Sequence, residues 1–104
     1  MFNVTTASFN KVETSQIPVL VKFWADWCPP CHMLSTTLEK ISGIYTNRVI
    51  FAQINAEDEP LITTKFHVNA LPTMLIFKDG KVIKTIVGLQ SDKFIREALD
   101  DSLR

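Results

Sequence analysis

The chain has 104 residues, 11 basic and 11 acidic side chains, 46% apolar residues and two Cys. Residues 1–104 read as one domain, long enough to hide about two-thirds of the unfolded surface without covalent staples. Zero formal charge excludes a nucleic-acid binder that works by displacing counterions, and two Cys exclude a disulfide-dense secreted scaffold.

Met1-Phe2-Asn3-Val4 lacks a cationic start followed by an apolar stretch, so the cytoplasm is the expected location unless a leader has been removed. The longest apolar runs, Val19–Val21 and Met74–Phe77, fall far short of the ~20 residues a bilayer span needs, so no membrane partner is expected. Thr5 to Glu13 predicts a short helix, capped by Thr or Ser, with Phe9 and Val12 inward. Pro18 opens Val19–Ala25, a β-branched and aromatic run without clean alternation, as in a strand covered on both faces. Asp26-Trp27-Cys28-Pro29-Pro30-Cys31 ends it, since two prolines cannot continue a ladder but suit the first turn of a helix.

From Cys31 the period becomes helical, with Leu34, Leu38, Ile41 and Tyr45 on one stripe and Gly43 near the end. Val49–Asn55 predicts a second interior strand. Glu57-Asp58-Glu59-Pro60 reads as a solvated helix start, with the helix over Leu61–Phe66. Thr73–Phe77 and Val82–Val87 flank Lys78-Asp79-Gly80-Lys81, and Asp-Gly between such runs signals a hairpin. Ser91 caps a last helix whose buried face is Phe94, Ile95, Ala98 and Leu99. The order predicts an α/β fold: a central mixed β-sheet, parallel crossovers first and one antiparallel hairpin last, flanked by helices on both faces.

Cys28 and Cys31 lie three residues apart where a strand gives way to a helix. Unpaired N–H groups and the positive dipole end at a helix mouth favour a thiolate on Cys28. The amides of Cys31 and His32 are expected to point toward that sulfur. Cys31 falls one turn on, within bonding reach. That placement suits a nucleophile and a resolving thiol: Cys28 attacks a foreign disulfide and Cys31 displaces the mixed disulfide. Three other readings stand beside it. Two free Cys can simply fill a core. A zinc site has only His32 and His67 to complete it, at no familiar spacing. Cys28-Pro29-Pro30-Cys31-His32 also matches the C-x-x-C-H haem-attachment pattern.

Val21-Lys22-Phe23-Trp24-Ala25-Asp26-Trp27-Cys28-Pro29-Pro30-Cys31, followed by Ala70-Leu71-Pro72-Thr73, Phe77-Lys78-Asp79-Gly80 and Val87-Gly88, resembles the thioredoxin family over nearly the whole chain. The resemblance implies the thioredoxin fold, with Cys28 as nucleophile and Cys31 as resolving thiol. It implies that Trp27 flanks the pair and Trp24 lies beneath its loop. Pro72 matches a proline that is cis in the family, and Leu71 would offer backbone groups to an extended client peptide. Trp27, Pro30, Ala70, Leu71, Pro72 and Gly88 would form the apolar rim that binds substrate.

The departures are informative. The family commonly has Gly-Pro between the Cys, where this chain has Pro29-Pro30. Lys22 stands where the family has a buried Asp below the resolving Cys, and Gln53 where it often has that Asp's Lys partner. A buried lone ammonium must reach water, pair, or lose its proton. Lys22 thus reads as a general base for Cys31, as a positive charge favouring thiolates, or as a Lys whose stem is buried and whose head is wet. Thr36 replaces a family Pro, so the helix is expected to be straighter. His32 reads as a charge near Cys28 or a solvated residue, and His67 as structural.

The resemblance implies a thiol–disulfide oxidoreductase, a protein-disulfide reductase, that holds no bound cofactor beyond its own redox-active disulfide and contains no metal. Electrons would come indirectly from NADPH through a thioredoxin reductase, in the service of electron transport and cell redox homeostasis. The partners implied are disulfide-containing client proteins and that reductase, and a monomer is expected. The alternatives are an oxidant or isomerase on the same fold, for which Pro29-Pro30 and the missing Asp speak, and a non-catalytic binding module using the apolar rim.

Overall fold

The computed structural model describes all 104 residues, Met1–Arg104. The runs rich in Val, Ile, Leu and Phe form the interior strands β2 (Val19–Trp24), β3 (Ile50–Asn55) and β4 (Thr73–Lys78). Two more strands complete one sheet: β1 (Phe2–Asn3) and β5 (Lys81–Val87), in the order β1-β3-β2-β4-β5. β2 pairs parallel with β3, from Val19↔Ile50 to Trp24↔Asn55, and antiparallel with β4, from Val19↔Phe77 to Phe23↔Thr73. The mixed sheet with the hairpin last is as the element order predicts. β1 is not foreseen: it has two exposed residues, too few to carry a period.

Helices cover both faces. α2 (Pro29–Ser42) and α4 (Asp92–Ser102) bury Leu34, Leu38, Ile41, Ile95 and Leu99 against Leu20, Met74 and Ile76. On the opposite face α1 (Asn10–Glu13) and α3 (Pro60–Lys65) bring Phe9, Val12 and Ile62 onto Val19, Val21, Ile54 and Phe77. Alternate residues of β2 therefore feed two cores. No helix is long and apolar enough to cross a membrane.

The short helix expected within Thr5–Glu13 is confined to Asn10–Glu13, after a turn at Thr6–Phe9, and its N-cap is Phe9 rather than Thr or Ser. Thr5 and Ser8 satisfy one another instead: Ser8 Oγ accepts from the Thr5 amide (2.9 Å) and Thr5 Oγ1 from the Ser8 amide (3.2 Å). Hydroxyl groups that compete for backbone donors in this way delay the helix to Asn10. The stripe ending at Tyr45 holds, but Tyr45 sits on a 3₁₀ turn, Gly43–Tyr45, that continues α2. α2 runs unbroken through Thr36. Phe94 is a correction: it is 41% exposed, because Ile95, Leu99 and Ser102 fill the inward stripe. Its ring lies under the Lys84 ammonium, 5.9 Å from Nζ to centroid.

The β4–β5 turn uses left-handed backbone at both central residues, Asp79 (φ 53°) and Gly80 (φ 77°). A Cβ on Gly80 would lie 2.8 Å from the carbonyl oxygen of Glu13, so only glycine fits the close approach of this turn to α1. α3 ends in a Schellman motif: the amides of His67 and Val68 bond the carbonyls of Thr64 (3.0 Å) and Thr63 (3.1 Å), with His67 at φ 56°. His67 is thus structural, as expected, through its backbone. Glu59 departs from the solvated reading, since its Oε1 accepts from the Thr6 amide at 2.7 Å.

Because β2, β3 and β5 point one way and β4, antiparallel to both β2 and β5, points the other, four connections meet at one end of the sheet. These are the loop after Trp24, the loop after Asn55, the segment before Thr73 and the segment after Val87. The Cys pair, Pro72 and Gly88 share that end.

Candidate active site

β2 ends at Trp24, and four residues later Cys28 becomes the N-cap of α2, in extended conformation (φ −100°, ψ 97°). Pro29 and Pro30 occupy the first helical positions, where missing N–H groups cost nothing. Cys31 follows in the first turn, and its sulfur is joined to that of Cys28 in a disulfide, with Cα atoms 5.3 Å apart.

The amide of Cys31 donates to Cys28 Sγ at 3.2 Å. The amide of His32, expected to point the same way, bonds the Cys28 carbonyl at 3.3 Å instead. With two prolines ahead of it, the helix mouth turns a single N–H on the sulfur. The first turn carries no acidic residue that would oppose a negative charge there. In this oxidised state both are buried, Cys28 2% exposed and Cys31 not at all. Trp27, 65% exposed, and the exposed Pro29 and Pro30 stand around Cys28.

The second half of the site comes from the far side of β2. Leu71–Pro72 is a cis peptide, and Pro72 is buried one residue beyond the Phe23↔Thr73 pair. Two hydrogen bonds hold this segment. Gly88, at φ 88°, donates its amide to the Pro72 carbonyl at 2.8 Å, and Thr73 Oγ1 donates to the Ala70 carbonyl at 2.6 Å. Ala70 is exposed and Gly88 half-exposed. Leu71 is half-buried and packs on the core cluster of Phe9 and Ile62.

Beneath the loop, half-buried Trp24 has its ring 6.2 Å from that of His32. Its indole Nε1 is buried without a hydrogen-bond partner. His32 is exposed, and its Nε2 donates to the Asp26 carbonyl at 2.8 Å, tying the first turn of α2 to the loop before it. No three His, Cys, Asp or Glu side chains converge as a metal-binding group.

Lys22 corrects the reading of a wet head on a buried stem. The residue is 1% exposed, and Nζ is hydrogen-bonded to Ser35 Oγ on α2. It also lies 5.8 Å from the centroid of the Trp24 ring. Burial lowers its pKa from the ordinary lysine value, and the charge of Glu39 offsets part of that. Gln53, its neighbour in register, turns away and donates to Asn3 Oδ1 at 2.8 Å.

Sequence reasoning passed over Ser35 and Thr73. Ser35 lies four residues after Cys31, hence on the same helix face, and that spacing was the available signal.

The family model described as Thioredoxin matches residues 1–101. The chain is 37% identical to thioredoxin 1 of Synechococcus elongatus over 101 residues, covering 96% of this chain and 94% of that protein. It is 34% identical to a thioredoxin of Alicyclobacillus acidocaldarius over 101 residues, 97% of this chain and 96% of that one. A thioredoxin of Pyropia yezoensis is 40% identical over 86 residues, 82% of this chain and 80% of the relative.

Proposed function

The chain belongs to the thioredoxin family, and from that premise we propose that Cys28 is its nucleophile and Cys31 its resolving thiol. Its mixed five-stranded sheet with helices on both faces is the thioredoxin fold, and the protein is a thiol–disulfide oxidoreductase, a protein-disulfide reductase. The observation that carries the residue assignment is the disulfide at the head of α2, with the Cys31 amide on Cys28 Sγ at 3.2 Å.

In the reduced protein, the Cys28 thiolate attacks one sulfur of a client disulfide. The client S–S bond breaks, the other client sulfur leaves as a thiolate and takes a proton, and a mixed disulfide remains. Cys31 loses its proton and attacks Cys28 Sγ. The second client sulfur leaves, and the Cys28–Cys31 disulfide returns. Two electrons have passed to the client.

The rim of Trp27, Pro30, Ala70, Leu71, Pro72 and Gly88 receives the client. What supports this is the placement of these residues at one end of the sheet and the two hydrogen bonds that hold the cis-proline segment. The Leu71 backbone pairs with an extended client strand. The clients are disulfide-containing proteins, and a thioredoxin reductase returns the pair to the thiol state with electrons from NADPH. Residues 1–104 act as one domain and as a monomer, in the cytoplasm.

Insulin reduction driven by dithiothreitol tests the assignment. The parent is expected to precipitate the insulin B chain. Cys31→Ser is expected to accumulate a client mixed disulfide, and Cys28→Ser to do neither. A mixed disulfide trapped by Cys28→Ser instead would reverse the two roles.

A further inference from the structure

The buried ammonium beneath the Cys pair has no carboxylate within ion-pair distance: the two salt bridges of the protein, Arg96–Asp92 and Arg104–Asp101, lie on α4 and just beyond it. Nζ of Lys22 is fastened to Ser35 Oγ, and Ser35 Oγ in turn donates to the carbonyl of Cys31 at 3.2 Å. Lys22 projects from β2 on the face that α2 covers, as its neighbour Leu20 does against Leu34 and Leu38. The chain Lys22–Ser35–Cys31 thus runs from the sheet to the first turn of α2.

In the oxidised protein the cation bonds no carboxylate, and Glu39 acts on it only from beyond ion-pair distance. Reduction converts a neutral disulfide into groups that ionise, and Cys31 is the nearer of them along this chain. We propose that Lys22, positioned by Ser35, is the counter-cation of the Cys31 thiolate, so that it takes over from the family's buried acid by stabilising the anion rather than by accepting its proton. The proposal rests on the reading of Cys28 and Cys31 as the exchanging pair. Lys22 acts by charge, at a remove from the reacting sulfurs, and is a positioning residue.

Three observations bear on it. Lys22 is 1% exposed, so water screens its charge poorly. Burial holds its pKa below the ordinary range in the disulfide state, which is what an ammonium without a counter-ion shows. A recess of about 290 Å³ beside it is lined by Met1, Asp26, His32 and Glu39, so the titratable side chains that face Lys22 are two carboxylates and one imidazole. None of the carboxylates is bonded to Nζ.

The chemistry has a fixed direction. A cation that stabilises the thiolate stabilises the reduced form, which makes the pair a weaker reductant than the same pair without it. By reciprocity, the thiolate makes the Lys22 proton harder to remove, so Lys22 holds its proton more tightly after reduction than before. A general-base role has another signature. It slows resolution when removed and leaves the equilibrium potential where it was.

The test compares the parent with Lys22→Met and Ser35→Ala by two readouts. One is thiolate absorbance of the reduced protein against pH; the other is the equilibrium constant with glutathione. Lys22→Met is expected to move the Cys31 titration about one unit alkaline. With the equilibrium taken at a pH above the Cys31 titration, where reduced Cys31 is ionised, Lys22→Met is also expected to shift the glutathione equilibrium about tenfold toward the disulfide, about 30 mV for two electrons. Ser35→Ala is expected to move both the same way by less. Contributions of Asp26, His32 and Glu39 are common to all three proteins and cancel. Superimposable titrations, or a potential unchanged while resolution slows, would overturn the proposal. If Lys22→Met does not fold, Ser35→Ala decides by the same criterion. A parent that fails to reduce insulin would instead sink the underlying reading of the pair.

Discussion

Thr73→Val probes the hydrogen bond that shapes the cis-proline segment. Thr73 is 3% exposed, and its Oγ1 donates to the Ala70 carbonyl at 2.6 Å, closing the loop Ala70–Pro72 onto the start of β4. Valine keeps the shape and loses the donor. A net hydrogen bond is worth about 0.5–1.5 kcal/mol. Ala70 is exposed, so its freed carbonyl regains water, and the cost falls at the lower end, about 0.5–1 kcal/mol. That lowers Tm by about 4 °C for a domain of this size. It also shifts the loop away from its held form by about two- to fivefold, since 1.4 kcal/mol is about tenfold. If the Leu71 backbone receives the client, kcat/KM for insulin falls by the same two- to fivefold, while the thiol titration stays put because Thr73 lies on another element. Thermal unfolding, insulin kinetics and thiolate absorbance are the assays. A full loss of stability with unchanged kcat/KM would refute the placement of the client on this loop.

Other consequences follow from the same contacts. Gly80→Ala puts a Cβ at φ 77° and 2.8 Å from the Glu13 carbonyl oxygen, so it is expected to cost roughly 2–4 kcal/mol by denaturant unfolding, the sum of left-handed strain and overpacking; a cost below about 1 kcal/mol would mean the turn and α1 separate freely. Tyr45 is pushed up to about 12 by burial and by its 2.6 Å hydrogen bond to Asp100. Its phenol ionises first in the unfolded chain, so its stabilising contribution is complete below about pH 10 and lost as pH rises from there toward 12. Tyr45→Phe is expected to lose about 1 kcal/mol at neutral pH and to lack that alkaline decline. Comparing the two proteins cancels Lys22, whose lowered pKa acts in the opposite sense over the alkaline range. A Phe variant with the parent's alkaline profile would contradict the assignment.

The parts of this fold that can be read from the chain are those with a period or a fixed backbone demand. The apolar runs of β2, β3 and β4, the stripe Leu34–Leu38–Ile41 and the Asp79-Gly80 turn each carry one. β1 has two residues and no period, and Thr5 and Ser8 chose each other over a helix. Phe94 faces outward because its neighbour Ile95 takes the inward position. At the site, the spacing of Cys28 and Cys31 reads directly into a disulfide at a helix mouth. The fate of Lys22 does not, because a side chain with four rotatable bonds can reach water or a partner from the same strand position. Only the packing of α2 puts Ser35 over Nζ. Likewise the direction of the His32 amide depends on how two prolines seat the first turn.

The most direct measurement on the exchanging pair is limited alkylation of the reduced protein. Iodoacetamide at less than one equivalent and neutral pH, followed by mapping of the modified peptide, reports which sulfur is both ionised and reachable. Cys28 is expected to carry at least about ten times the label of Cys31, because it takes the Cys31 amide at the helix mouth and is the less buried of the two. Equal labelling, or label gathered on Cys31, would contradict the assignment of Cys28 as the attacking sulfur.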